Sequence, residues 1–143
     1  MNLSSYRKIT SLNKDIVQCR ACPRLVEFRE AVARKKRKQF EAWDYWGKPV
    51  PGYGEPGASL LLTGLAPAAH GGNRTGRVFT GDKSADFLVR CLYDVGIANQ
   101  PNSDSLDDGL ELINAYMTPV LKCVPPEDKP KPDELKQCAH YLS

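Results

Sequence analysis

The stretch that most restricts the fold runs from Gly64 to Asp82 and reads G-L-A-P-A-A-H-G-G-N-R-T-G-R-V-F-T-G-D. An apolar run, Ser59-Leu60-Leu61-Leu62-Thr63, leads into it, and an amphipathic segment beginning near Lys83 leads out. That order predicts a buried strand, a loop and a helix. Open α/β sheets hold their ligands in such a crevice, beyond the carboxyl end of a strand. Five glycines let backbone approach a ligand closely, while His70, Asn73, Arg74 and Arg77 bring polar groups to the same loop. A solvated surface loop is the plainer alternative, but Phe79 and Ala66-Pro67-Ala68-Ala69 are too apolar for it.

The flanking chain supplies the layers. A short helix is expected within Leu3 to Gln18, and a second after Pro23, with Leu25, Phe28 and Val32 at helical spacing. The run Arg34-Lys35-Lys36-Arg37-Lys38 reads either as a solvated helix face or as a contact for a phosphate backbone, where basic groups gain affinity by releasing counterions. Phe40, Trp43 and Trp46 form an apolar stripe suited to core packing. Three prolines and four glycines between Gly47 and Gly57 exclude regular structure there. Asp82 is placed to cap a helix that runs to about Val95 and stops at Gly96, with Cys91 on its buried face beside Phe87, Leu88, Leu92 and Val95. Asn99 to Gly109 reads as a polar surface excursion without assignable chemistry. Ala115 to Lys122 reads as the second strand, Val124 to Pro132 as an extended segment and Asp133 to Leu142 as a closing helix.

A length of 143 residues fits one domain, residues 1–143, with a core of its own. No apolar run is long enough to cross a membrane, and Met1 to Thr10 lacks the apolar centre of a signal peptide, so the chain reads as cytoplasmic. A net charge of +3 permits a polyanionic partner without requiring one. In that setting five cysteines point to metal or cluster ligation rather than disulfides. Cys19 and Cys22 form a C-x2-C turn, and Cys123 and Cys138 a wider pair. Zinc and an iron–sulfur cluster both accept four thiolates. A zinc ribbon normally uses two tight knuckles, and the single knuckle here leans toward a cluster. His140 is either a substitute ligand or a surface residue.

The central motif, together with Trp43-Asp44-Tyr45-Trp46-Gly47-Lys48-Pro49-Val50-Pro51-Gly52 and Lys122-Cys123-Val124-Pro125-Pro126, closely resembles the family 5 uracil-DNA glycosylases of prokaryotes. The likeness covers nearly the whole chain from Cys19 onward. It implies an α/β fold, a three-layer α/β/α sandwich on a parallel sheet. It also implies a 4Fe-4S cluster held by Cys19, Cys22, Cys123 and Cys138, with Phe79 stacking on an extruded base. The implied reaction is DNA base-excision repair: hydrolysis of the N-glycosidic bond of uracil or another deaminated base in DNA, without a lyase step. The implied setting is a monomeric, nucleoid-associated protein.

The chemistry can be reasoned independently. Bond cleavage leaves an oxocarbenium-like sugar and an anionic uracil, so the site needs donors for the uracil oxygens and a held water near the sugar carbon. Backbone around Gly64 and Ala66 can supply donors, His70 and Asn73 can hold water or substrate, and Arg74 or Arg77 can hold a phosphate. Most of the superfamily activates the water with an acidic or amide residue at the second or third motif position. Here those positions are Leu65 and Ala66, which leaves Asp82 or Asn73 as candidates. The superfamily's second motif, a histidine-proline-serine loop, does not occur before Ser143. The last strands of the fold are therefore expected to be missing, and residues 1–143 are expected to be a poor catalyst alone. Two other readings are a non-catalytic iron–sulfur module that binds DNA through Arg34 to Lys38, and a zinc or iron–sulfur protein of another kind, such as an electron carrier.

Overall fold

Three short segments pair into a sheet in a computed structural model that describes residues 3–142: β1 (Tyr53–Gly54), β2 (Leu60–Gly64) and β3 (Ala115–Pro119), in the spatial order β1-β3-β2. Met1, Asn2 and Ser143, which entered the sequence reading, lie outside the described residues. β2 and β3 run parallel, with Leu60 opposite Ala115 and Gly64 opposite Pro119. β1 runs antiparallel to β3, with Tyr53 opposite Met117. The sheet is therefore mixed, which corrects the expectation of a parallel one. The glycine- and proline-rich segment, expected to be irregular, supplies the antiparallel strand, because Tyr53 can pair with Met117 while its hydroxyl donates to the Leu110 carbonyl.

Alternation along β3 sends side chains to two layers. Ala115 and Met117 are fully buried in the main core with Val50, Val78, Val89 and Leu92. Tyr116 points the other way, where its hydroxyl accepts from Asn13 Nδ2 of α1 (Leu3–Val17) at 3.3 Å. Val89 and Leu92 belong to α4 (Lys83–Asp94), so helices lie on both faces of β3. Between α1 and the sheet comes α2 (Pro23–Lys35), opened by a proline whose missing N–H costs nothing in a first helical turn. A single turn, α3 (Gly72–Thr75), sits inside the central loop, and α5 (Pro132–Cys138) follows a 3-10 turn at Pro126–Asp128. The predicted extended segment is thus interrupted, and the closing helix ends four residues early, at Cys138, in a 3-10 turn over Ala139–Tyr141.

Two burial expectations are corrected. β2 is an edge strand, and Leu61 is 57% exposed where a buried strand was expected; Leu62 is the residue of β2 that packs on the core. On α4 the buried residues are Ala85, Val89 and Leu92, so Cys91, two positions from Val89, is turned about 200° away and exposed. Phe87, four residues before Cys91, shares that side and is 75% exposed. No helix among the described residues is long and apolar enough to cross a membrane.

The segment from Asn99 to Gly109, expected to be a surface excursion without assignable chemistry, turns Ser103 and Asp108 inward and anchors the loop opposite it. Ser103 is fully buried, and both Asp108 carboxylate oxygens accept from Arg77 Nη2, at 2.9 and 2.8 Å. Arg77 also donates to Thr80 Oγ1 and Ser103 Oγ. Burial alone would raise the Asp108 carboxyl. The N–H groups of Asp104 and Leu110 and the Arg77 guanidinium outweigh it and hold the group below the usual carboxylate range. Asp108→Ala should therefore leave a buried guanidinium unpaired and cost about 3–5 kcal/mol in urea unfolding at neutral pH. A depressed folded-state pKa stabilises above the unfolded carboxyl value and ceases to do so as pH falls through the folded one. The gap between Asp108→Ala and the parent should accordingly narrow in acid.

Candidate functional site

The loop from Gly64 to Asp82 leaves the sheet where β2 and β3 are still joined: Val120 and Leu121 N–H groups donate to the Gly64 and Leu65 carbonyls at 2.8 and 2.9 Å. It then coils around α3, every residue of which is buried. What the loop leaves open is a crevice of about 610 Å³, bordered by Arg37, His70, Gly71, Asp82 and Lys83.

Asp82 and His70 face this crevice from opposite ends of the loop. Asp82 Oδ1 caps α4, accepting from the Ala85 N–H at 2.8 Å. Its Oδ2 approaches Gly71 so closely that a Cβ there would stand 2.5 Å from it, so residue 71 must be glycine for the carboxylate to keep this position. His70 Nδ1 is 2.8 Å from the Tyr45 hydroxyl, which also accepts from the Arg37 backbone N–H at 3.1 Å. Burial, then the positive charges of Arg37 and Arg74, lower the His70 pKa and favour a neutral imidazole.

Arg74 and Arg77 were both candidates for a phosphate, and the structure corrects both. Each is 3% exposed. Arg77 is committed to Asp108, Thr80 and Ser103. Arg74 Nε donates to the His70 carbonyl at 2.6 Å and its Nη2 to the Gly81 carbonyl at 2.9 Å, tying together the peptides that precede Gly71 and Asp82. Its guanidinium lies 3.8 Å from the Phe40 ring centroid and 4.1 Å from that of Trp43. The predicted aromatic stripe therefore holds a cation as well as packing.

Asn73 also leaves the crevice. It is buried, and its Nδ2 donates to the Arg29 carbonyl of α2, 3.3 Å away, while its Oδ1 has no partner among the described residues, so it lies between α3 and α2 and not on the crevice. Phe79 has φ +49°, rare for a bulky residue, and its ring lies over Gly64, where a Cβ would meet it at 2.7 Å. Neither Gly64 nor Phe79 borders the crevice, and Ala66 packs instead on the second core, around Leu25, Leu121 and Cys138. The fold thus joins His70 to Asp82 and sets the Gly64–Phe79 contact apart. Sequence reasoning missed Tyr45 and Lys83. Tyr45 stood within the quoted motif without any spacing that linked it to His70.

Cys19, Cys22, Cys123 and Cys138 line one apolar cavity with Leu25, Lys122 and Tyr141. All four are free thiols. Burial pushes the Cys123 thiol up to about 12 despite the nearby Arg29, and raises Cys138 and Cys22 as well. Cys138 Sγ accepts from the Lys122 N–H at 3.4 Å. The Lys122 ammonium, pushed down to about 8 by burial, donates to Thr118 Oγ1 at 2.6 Å and to the Pro119 carbonyl. Arg29 donates to the Gly47 and Cys19 carbonyls at 2.7 and 3.3 Å, while its buried Nε has no partner among the described residues. Among the described residues no group of three or more His, Cys, Asp or Glu is disposed to hold a metal ion. His140 is exposed, bonded to the Gln137 carbonyl, and outside the cavity, which removes it as a substitute ligand.

Comparison with known proteins follows this geometry. A family profile described as the Uracil DNA glycosylase superfamily matches residues 51–143. The chain is 48% identical over 127 residues to a type-5 uracil-DNA glycosylase of Pyrobaculum aerophilum, covering 89% of this chain and 55% of that protein. It is 50% identical over 126 residues to one of Thermus thermophilus, covering 88% and 57%. Likeness to a type-4 uracil-DNA glycosylase of Sulfurisphaera tokodaii is lower, 29% over 106 residues, covering 73% and 42%. The chain spans about half the length of the curated relatives it matches.

Arg74→Ala should strand the His70 and Gly81 carbonyls and empty the corner formed by the perpendicular Phe40 and Trp43 rings. Hydrogen bonds from a charged donor contribute about 1.5–3 kcal/mol each. Thermal or urea unfolding should register a loss of at least about 2 kcal/mol, and an unchanged midpoint would show that Arg74 does not hold the loop.

Proposed function

This chain belongs to the uracil DNA glycosylase superfamily, and from that premise we propose that it supplies the base-excision site of a type-5 enzyme, hydrolysing the N-glycosidic bond of uracil and other deaminated bases in DNA. The observation that carries the reading is the meeting of Asp82 and His70 on one crevice bordered by Arg37 and Lys83, within a sequence half identical to type-5 uracil-DNA glycosylases.

In this reading the target nucleotide leaves the stack, at a cost of about a few kcal/mol. Phe79, whose ring is packed over Gly64 outside the crevice, would have to leave that contact to stack on the base and offset part of that cost. Asp82 keeps Oδ1 on the helix cap and uses Oδ2 to hold a water against the sugar carbon, where positive charge develops. The Tyr45 hydroxyl accepts from the Arg37 backbone N–H and donates its own hydrogen bond to His70 Nδ1, its proton staying on the phenol. That arrangement leaves Nε2–H as a donor for the departing, anionic base. Arg37 and Lys83 at the crevice, with exposed Arg34 and Lys38, attract the phosphate backbone.

Cys19, Cys22, Cys123 and Cys138 would hold a 4Fe-4S cluster. Three features support that assignment: a donor set of thiols alone, an apolar cavity, and the partnerless Arg29 Nε beside Cys123. Such a cluster would supply a covalent brace between α2, the exit of β3 and α5.

The direct test is release of uracil from a uracil-containing duplex by residues 1–143, alone and joined to the carboxyl-terminal half of the Thermus thermophilus relative. The joined protein should release uracil, and Asp82→Asn should slow it by about 10²-fold or more. A folded joined protein without release would overturn the assignment, and an Asp82→Asn variant at full rate would remove Asp82 from it. Separately, Arg37→Ala and Lys38→Ala should each weaken duplex binding regardless of sequence. Each should also reduce the slope of log affinity against log salt by about 1.

A further inference from the structure

We infer that Arg29 and Lys122 are the counter-cations of the four-cysteine cavity, a buried guanidinium and a buried ammonium that neutralise a thiolate-bound metal centre. This rests on the reading of the four cysteines as ligands.

Both side chains are 2% exposed, in a chain whose other lysines have at least partial access to solvent. A buried charge costs several kcal/mol unless another charge answers it. Among the described residues no carboxylate forms an ion pair with Lys122, whose ammonium has only the Thr118 hydroxyl and the Pro119 carbonyl. Arg29 approaches Glu30 Oε1 at 3.3 Å, but Arg20 holds that same oxygen at 2.6 Å. Glu134, the acidic residue buried nearest the cavity, is matched by Arg24 at 2.6 Å. Beside the cysteines two positive charges are thus left without a full negative partner; Arg74, in the central loop, is also buried without a carboxylate, but two carbonyls and the Phe40 and Trp43 rings answer it.

Both of them border the cysteines. Lys122 lines the cavity, and its backbone N–H donates to Cys138 Sγ. Arg29, just outside the cavity lining, bonds the Cys19 carbonyl, has an Nε with no acceptor among the described residues, and is near enough to Cys123 for its charge to act on that thiol. The charge count closes. Four thiolates carry four negative charges, and a 4Fe-4S core in its oxidised resting state contributes two positive ones, as does a zinc ion. Either centre is left with two negative charges. Arg29 and Lys122, both buried beside a cavity whose thiols are partly or fully buried, supply two positive ones. Unlike Arg74, neither cation has an aromatic face against it among the described residues, and the nearest group of sufficient negative charge is the thiolate set.

The test uses anaerobically purified chain, assayed for iron and zinc and, where iron is bound, titrated for its reduction midpoint by visible absorption. Lys122→Met and Arg29→Gln should each shift the midpoint to more negative potential by at least tenfold in the reduction equilibrium, about 59 mV for one electron. Lys122→Arg and Arg29→Lys, which keep the charge, should stay within a few-fold of the parent. If the centre is zinc, the same neutral variants should lose zinc affinity at least tenfold while the charge-keeping pair does not. Should either neutral variant fail to fold, the other neutral variant against its charge-keeping counterpart still decides. A metal-loaded parent whose midpoint or affinity is unmoved by the neutral variants would overturn the counter-cation role while leaving the ligand assignment intact. A folded parent that binds neither iron nor zinc would overturn both.

Discussion

The crevice exists because the arginines of its own loop are turned inward. A segment with so many glycines has little side-chain mass to pack, and its backbone carbonyls would otherwise compete for water. Arg74 answers two of them, those of His70 and Gly81, and is itself wedged between Phe40 and Trp43. Arg77 anchors the loop differently, through the side chains of Thr80, Ser103 and Asp108. Buried guanidinium groups suit this task because their planar fork reaches several acceptors at once without losing its charge. The result is that His70 and Asp82, twelve residues apart in sequence, are fixed relative to each other before any ligand arrives. A site that must stabilise charge developing on a departing base benefits from dipoles already in place.

Much of this was legible in the sequence, and the failures share one cause. The strand–loop–helix order, the Asp82 cap, the helix after Pro23 and the C-x2-C turn are local signals, set by residues within a few positions of each other. The burial of Arg74 and Arg77 is not local. Arginine in a glycine-rich loop looks like an anion ligand until its partners are seen, and Asp108 lies 31 residues away in a segment whose composition reads as surface. The same holds for Cys91 and Leu61. Helical periodicity marks which residues share a face, but two overlapping faces of α4 are both apolar, and only packing against Met117 and Val50 selects the one with Val89 and Leu92. Asn73 misled for a related reason: a polar side chain in a loop suggests solvent or substrate, whereas its nearest acceptor proved to be a helix carbonyl.

The cysteine cavity and the crevice are not independent, and Arg29 is the link between them. Its guanidinium reaches Cys19 and Gly47, while its own carbonyl accepts from Asn73 of α3. Gly47 returns the contact, donating its N–H to the Asn73 carbonyl at 3.0 Å, and it does so at φ +60° with a Cβ position only 2.7 Å from Ala33 Cβ. A side chain at residue 47 would push α2 away from α3. On the opposite side Val120 and Leu121 bind the start of the loop one turn before Lys122 and Cys123 enter the cavity. The loop is therefore clamped at Gly64–Leu65 and again at Asn73 by the same elements that carry the thiols. Whatever draws Cys19, Cys22, Cys123 and Cys138 together also tightens α2 and the β3 exit around the base of the loop. The physical consequence is a division of labour: the thiols set the frame, the inward arginines set the loop upon it, and the crevice is left with His70 and Asp82 among charged groups of both signs, Arg37 and Lys83 as well as Asp86 and Asp128.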